Sequence, residues 1–383
     1  MKYVFHFLVS ISVLLFAFVG RADEPGITDT EIVIGNHSMQ TGVAAVFGSF
    51  QRVMKAYFDM INEKGGVNGR KIKFLIEDNG TNPQQALQVT KKLVESEHVF
   101  AMVANQGPPH LAVYRYLREK KVPDLWVAAP GGQFTEPVDH YTFAFSPSMH
   151  VEASYFGNYV LKHWPKKKIG ILAQETADSK QGVQIFTETV KGKADVVATE
   201  YVSMSAQQNS TAQVLNLKKA GAEVVFVGAA LPLSAMMIKF AAEQDYHPQW
   251  VMQYYNCNSN FLDLAGKATA EGVISWQPVL FHDDVDNQAI KKHLEFIKAR
   301  LPNEKPSTLT VYGQAIAETF IETLKIAGRD LTRESLISAA ESLKDYKCSV
   351  CRYANSTSPN KHLLLSTISP MVMRGGKWTP LTD

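Results

Sequence analysis

Few side chains in this sequence have the types and spacing to do chemistry. Cys348-Ser349-Val350-Cys351 is the first candidate. A dithiol redox centre sits at the start of a helix that follows a strand. Here the motif follows a helical stretch and precedes an extended one, which argues against redox catalysis. In an oxidising compartment the two thiols can bridge locally, or one of them can reach Cys257. With three cysteines, at least one stays unpaired within a monomer. Zinc would need two more ligands, and His362 alone does not complete a set. His282-Asp283-Asp284-Val285-Asp286 is the one dense acid cluster. It offers oxygen ligands to a hard cation, but its acids equally favour the N-terminus of the helix that follows, and a solvated loop is expected. No nucleophile elbow, phosphate-cradling glycine loop or pair of histidines at metal-ligand spacing occurs. Catalytic residues, metal and cofactor are therefore all expected to be absent.

The elements that must position any site alternate regularly. Residues 32–34 read as a strand, and an amphipathic helix follows with Val43, Val46, Phe47, Phe50, Val53, Met54, Tyr57, Phe58 and Ile61 on one face. Gln51, Arg52, Lys55, Asp59 and Asn62 fall opposite, the spacing of a helix packed on a sheet. Gly65-Gly66 stops this helix and Asn68-Gly69 makes a tight turn. Strands over 73–77, 99–104 and 125–129 then alternate with helices over 83–95 and 109–120. Asn82 is the expected N-cap and Pro83 the first helical residue. The rhythm restarts after Pro147. Helices are expected over 151–162, 181–191, 211–220 and 232–243, and strands over 168–173, 196–202, 224–228 and 250–253. Beyond Pro278 come three helices, over 287–300, 309–327 and 333–344, and a β-rich tail. Such units give α/β architecture: two Rossmann-like, doubly wound lobes with a cleft between them.

Length and charge bound the class. Lys2 precedes an apolar run over 4–19, and Gly20-Arg21-Ala22 offers small residues for cleavage, so residues 1–22 read as a signal peptide cut after about Ala22. Loss of Lys2 and Arg21 brings the 39 basic residues down to parity with the 37 acidic ones. A neutral chain has no electrostatic footprint for nucleic acid or anionic membrane. The remaining ~360 residues exceed one hydrophobic core, so two domains are expected.

Thr41-Gly42 with Phe47-Gly48, Ile61-Asn62-Glu63-Lys64, the turn Gly65-Gly66-Val67-Asn68-Gly69-Arg70, and Asp78, Asn82-Pro83 and Ala86 carry a family resemblance. Val122-Pro123, Lys218-Lys219-Ala220-Gly221-Ala222, Tyr312-Gly313-Gln314-Ala315 and the closing Gly376-Lys377-Trp378 extend it over nearly the whole chain from about Ile27. In order and spacing these resemble the Leu/Ile/Val-binding branch of the periplasmic binding proteins, the substrate-capturing subunits of ABC importers. The resemblance implies three crossings between lobes, near Ser146, near Pro278 and around 364–369. Residues 23–146 with 280–366 would form one lobe, and 147–279 with 367–383 the other. It also implies a ligand site. Phe47 falls where the family has an aromatic wall, and Asn105, Gln106 and Gly107 where a serine loop holds the ligand carboxylate. Ala128, Ala129 and Gly131 fall where backbone and a threonine do so. In the second lobe Asp178 and Leu231 match ligand-covering tyrosines, and Tyr254 matches the acid that pairs with the α-amino group. With Tyr254 there, an ammonium would lack its expected partner, so leucine, isoleucine or valine does not follow as the ligand; Asp178 from the opposite loop is one substitute.

The resemblance implies a periplasmic subunit, monomeric, that closes on an amino acid or related small carboxylate and delivers it to the permease and ATPase subunits of an ABC importer. A sensor domain that uses the same fold to regulate a partner is the alternative. An enzyme is disfavoured by the missing chemistry.

Overall fold

The run Ile32-Val33-Ile34 lies within β1 (Glu31–Ser38), the helix that follows is α1 (Ser49–Glu63), and the chain returns through β2 (Lys71–Asp78), parallel to β1 and paired from Glu31 with Lys71 to Ser38 with Asp78. The computed structural model describes residues 24–381 apart from 43, 130 and 204–210, so the expected signal peptide and Val43 lie outside the described residues. The first sheet continues through α2 (Pro83–Lys91), β3 (Ala101–Val103), α3 (Tyr114–Glu119), β4 (Asp124–Val127) and β5 (Thr142–Ala144). Its strand order is β2-β1-β3-β4-β5, all parallel.

The second sheet is built from α4 (Met149–His163), β6 (Ile169–Gln174), α5 (Ala177–Val190), β7 (Val196–Val202), α6 (Thr211–Ala220), β8 (Val224–Gly228), α7 (Leu231–Glu243), β9 (Gln249–Met252), α8 (Ser259–Ala265), α9 (Lys267–Ala270) and β10 (Ile274–Trp276). Three helices follow, α10 (Gln288–Arg300), α11 (Thr308–Ala327) and α12 (Arg333–Glu341), and then the hairpin β11 (Pro370–Arg374) and β12 (Lys377–Pro380). The order is β12-β11-β10-β9-β8-β6-β7, parallel except that β11 runs against both its neighbours. The late helices return to the first sheet: Ile290, Val311, Phe320 and Leu336 share one core with Ile34 and Phe58, whereas Val372 and Met373 belong to cores on the second sheet. The chain thus passes between lobes three times, after β5, after β10 and between Leu365 and Pro370.

Local chemistry explains where the helices begin and meet. Asn82, Ser148, Thr176, Asn258 and Asn287 each accept a backbone N–H of the first helical turn, and Ser307 and Thr332 form full capping boxes. Gly66 ends α1 with a φ of +77°, and a Cβ there would lie 1.9 Å from the Arg70 carbonyl oxygen. Gly313 lets α11 approach α1, since a Cβ would stand 2.6 Å from the Phe50 oxygen. Phe50 then stacks on Tyr312 at 5.7 Å and Phe58 meets Phe320 edge-on at 5.9 Å. Each fully buried phenylalanine contributes about 1.5–3 kcal/mol.

Several expectations need correcting. Ahead of α1 lies a 3-10 turn, Ala45–Gly48, so Val46 and Phe47 leave the apolar stripe and are 63% and 40% exposed. Gln51, expected on the solvent face, is fully buried. It precedes Met54 and Phe58 by three and seven residues, which puts it on their face, and its Nε2 donates to the Ala104 carbonyl at 3.2 Å. The strand expected over 99–104 ends at Val103 because Ala104 turns to a φ of +56°. The helix over 109–120 opens as a 3-10 turn, Pro108–Ala112, since two consecutive prolines remove backbone donors. Helix α2 gives way at Lys92 to a π turn. Helix α5 starts four residues earlier than expected because the Thr176 side chain caps it at the Ser179 N–H. The short elements β5, α8, α9 and β10 were not foreseen. Of the open cysteine pairings, Cys348–Cys351 is formed and Cys257 is a buried free thiol.

Candidate ligand-binding cleft

Parallel strands deliver their following loops to the carboxyl edge of the sheet, where open α/β sheets hold ligands. On the first lobe that edge joins Phe47 to residues 105–107 and to Ala128. The Gln106 Nε2 donates to the Phe47 carbonyl at 3.0 Å, and the Ala128 N–H donates to the Asn105 carbonyl at 2.9 Å. Gln106 and Ala128 form a parallel bridge, with Gly107 at a φ of +73° beside Met39. Ala104 also aims its carbonyl at the Asn36 amide, 2.8 Å away.

Asn105 does not present its side chain to the cleft. Its Oδ1 accepts the His37 N–H at 3.0 Å and its Nδ2 donates to Asp124 at 2.8 Å. This is one end of a fully buried relay that sequence reasoning missed. Asn79 is oriented by the Thr81 N–H on its Oδ1, so its Nδ2 donates to the His37 Nδ1 at 3.0 Å. That leaves the His37 proton on Nε2, 3.0 Å from the His110 Nδ1, and the His110 Nε2 stands 2.8 Å from Asp124. Burial, reinforced by His110, holds the His37 pKa well below its ordinary value, so the ring is neutral. The signal available was polar residues recurring in a strand that also reads as core: Asn36, His37 and Ser38 are all buried.

The second lobe assembles its edge from three loops. Ser179 donates to the Gly228 carbonyl at 3.2 Å, the Ala230 N–H to Gln174 at 3.3 Å, and Asn256 to the Ala229 carbonyl at 3.1 Å. These bonds gather Asp178 in the first turn of α5, Leu231 at the start of α7 and Tyr254 after β9. All three are half-buried. Burial raises the Asp178 pKa against a hydrogen bond from Gln133.

The two edges touch. Gln133, just beyond Gly131 on the first lobe, bonds Asp178 on the second. Glu136 lies 2.7 Å from His150 of α4. The Tyr254 ring stands 6.1 Å from the Tyr312 ring of α11, a contact between the second lobe and a helix packed on the first. The structure therefore brings Phe47, Gln106, Gly107 and Ala128 together on one side and Asp178, Leu231 and Tyr254 on the other. Ala129 is buried just after Ala128. A cavity of about 370 Å³ adjoins the Glu136–His150 contact, between Glu136, Val151 and residues 360–363, and one of about 340 Å³ lies apart from the cleft against residues 245–249.

A second omission of the sequence reading is Glu152. It is fully buried on α4 and falls three residues after Met149 and four before Phe156, within the helix's apolar face. One oxygen accepts the Tyr254 N–H at 2.8 Å and the Trp276 Nε1–H at 2.6 Å. An acid on an apolar stripe was the visible signal. Among the described residues no group of side chains could hold a metal ion, and no helix is long and apolar enough to cross a membrane.

Two doubly wound lobes, crossed three times and facing each other along their strand ends, define a type I periplasmic binding protein. The chain belongs to the family described as Periplasmic binding protein, whose sequence pattern matches residues 31–376. It is similar to Leu/Ile/Val-binding protein homolog 1 of Brucella abortus (strain 2308), 24% identical over 307 residues, or 79% of this chain and 81% of the relative. It shares its fold with a branched chain amino acid ABC transporter from Thermus thermophilus with bound valine, at a TM-score of 0.82 and 15% identity over 93% of this chain and 97% of the other. A fatty acid ABC transporter substrate-binding protein from Thermomonospora curvata aligns at a TM-score of 0.75 and 20% identity over 93% and 92%. The expected family and fold class are both met. The chain is a solute-binding protein of that periplasmic binding protein family, a ligand-binding protein and not an enzyme.

Proposed function

We propose that this chain is the extracytoplasmic solute-binding subunit of an ABC importer. It captures an amino acid or related small carboxylate, aromatic ones included, by hinge closure of its two lobes. The observation that carries the reading is the meeting of two strand-end edges, bridged by Gln133 to Asp178 and by Tyr254 to Tyr312. In this reading residues 23–146 with 280–366 form one lobe and 147–279 with 367–383 the other. Phe47, Gln106, Gly107, Ala128, Ala129 and Gly131 meet the ligand from the first lobe, and Asp178, Leu231 and Tyr254 from the second. Asn105 acts behind them, holding the loop through Asp124. The mature chain, cut after about Ala22, works in the periplasm as a monomer and docks in its closed form on the permease, which the ATPase drives. The names of the similar proteins span branched-chain amino acids and a fatty acid, so the side chains above, rather than the fold, set the ligand.

Thermal unfolding of the purified mature protein across amino acids, aromatic acids, amides and short acyl compounds tests this. A ligand at 100 times its Kd adds about 2.7 kcal/mol of stability. Strong shifts with a subset of these compounds are expected; a flat response across all of them sinks the reading.

A further inference from the structure

The reading above leaves Glu152 unused. It sits where three paths meet: Ser148, four residues before it, caps α4 directly after the first crossing, Trp276 ends β10 before the second, and Tyr254 stands at the cleft edge. One of its oxygens takes both N–H donors, while the other, Oε2, is buried with no hydrogen-bond partner. Among the described residues no basic side chain pairs with it, and its surroundings are the apolar interior and those two donors. The titratable groups facing it are the phenols of Tyr254 and Tyr255 from the loop after β9 and of Tyr312 from α11, each of which feels the Glu152 charge. Asp178 faces the same cluster through Tyr255.

A buried carboxylate is costly unless a cation meets it. Aromatic faces around it favour a cation further, because their negative quadrupoles attract one. The first turn of α4 stabilises its ionised form, as does each N–H donor. We propose that Glu152 is a ligand-recognition residue: its free oxygen receives the ammonium group of a bound amino acid from beneath the Tyr254 loop, within a ring of Tyr254, Tyr255, Trp276 and Tyr312. This rests on the binding-protein reading above and adds the substrate class, a ligand that carries a primary ammonium. Opening of the lobes separates Tyr254 from Tyr312 and bares the carboxyl. Burial lifts the Glu152 pKa to about 8 in the ligand-free protein, so near neutral pH it holds a proton. That proton leaves to solvent as the ammonium arrives.

The test compares wild type with Glu152→Gln in calorimetric titrations of two matched pairs, L-phenylalanine with phenylpropanoate and L-leucine with isocaproate. Each pair differs by the ammonium. Wild type is expected to prefer the amino acid in at least one pair by roughly 100-fold or more, and Glu152→Gln to lose that preference, as removal of a buried charge partner implies. Repeating the wild-type titration in buffers of different ionisation enthalpy should show about one proton released per amino acid bound, the count that a carboxyl changing state gives. This measurement decides the matter if the variant does not fold. A folded Glu152→Gln protein that keeps the preference overturns the proposal, as does binding of an amino acid with no proton release. Wild type that binds only the deaminated acids overturns it too, while leaving the binding-protein reading intact. Wild type that binds nothing in this set or in the wider panel brings down that reading and the proposal with it.

Discussion

Asp124 in the first lobe and Glu152 in the second are both fully buried carboxyls in the layer behind the cleft, and their surroundings differ. Asp124 faces a partner on each oxygen, Asn105 on one and His110 on the other, and through them the relay reaches His37 and Asn79. Glu152 has two N–H donors on one oxygen and none on the other. The first draws its neighbours from this chain, a hydrogen bond from Asn105 and the His110 ring nitrogen at 2.8 Å, and fixes the loop that carries Gln106 and Gly107. The second is complete only with something added. A cleft with an acid flanked by a histidine behind one wall and an acid with no basic neighbour behind the other divides labour between support and recognition.

That contrast can be broken most forcefully at Asp124. Asp124→Ala strands two buried donors at about 1–3 kcal/mol each, so a loss of about 2–6 kcal/mol in urea denaturation is expected. A midpoint close to wild type would show that the relay does not hold the wall. The pH dependence of stability sharpens the contrast further, because the two lobes carry opposite signs. His37 has a lowered pKa when folded, so its contribution is full above about 6.5, the ordinary histidine value, and is lost as the unfolded chain takes up protons below it. Glu152 has a raised pKa, so its contribution is full below the ordinary carboxyl value and declines as pH rises toward about 8. Thermal unfolding without ligand should therefore lose an acid limb in His37→Gln and an alkaline limb in Glu152→Gln. Unchanged limbs in both variants would contradict the assignment.

Smaller effects concern the contacts across the cleft. Gln133→Ala removes the bond to Asp178, a contribution of about 1 kcal/mol, and should weaken ligand binding about fivefold in calorimetry with stability nearly unchanged. Phe47→Ala should alter stability by less than about 0.5 kcal/mol, as exposed positions do, yet lower affinity if its ring walls the ligand. Affinity that stays at the wild-type level would remove Phe47 from the site.

The fold was largely legible because periodicity and capping act locally: strand runs such as 224–228, the helix over 211–220 and the Asn82 cap are written in consecutive residues. What failed was where local signals compete. Val46 and Phe47 continue the apolar spacing of α1, but the chain enters that helix through a tighter turn and turns them outward. Gln51 reads as polar surface until Ala104, 53 residues away, rotates its carbonyl to meet it. Of the cleft residues, family position indicated which loops meet, yet only the three-dimensional contacts separate Asn105, whose amide is committed inward, from Gln106 beside it. His37 and the isolated acid on α4 depend on partners 42 to 124 residues distant, such as Asn79, His110 and Trp276, and no local pattern encodes such pairings.

The closed pair Cys348–Cys351 and the sequestered Cys257 leave the native chain without a thiol that reagents can reach. Burial also pushes the Cys257 thiol far above its ordinary pKa, which withholds the reactive thiolate. A cysteine placed at the outward-facing Phe47 would then be the sole point of attachment for a fluorescent dye. Such a conjugate would turn lobe closure into an optical signal and make the molecule a ready scaffold for a reagentless sensor.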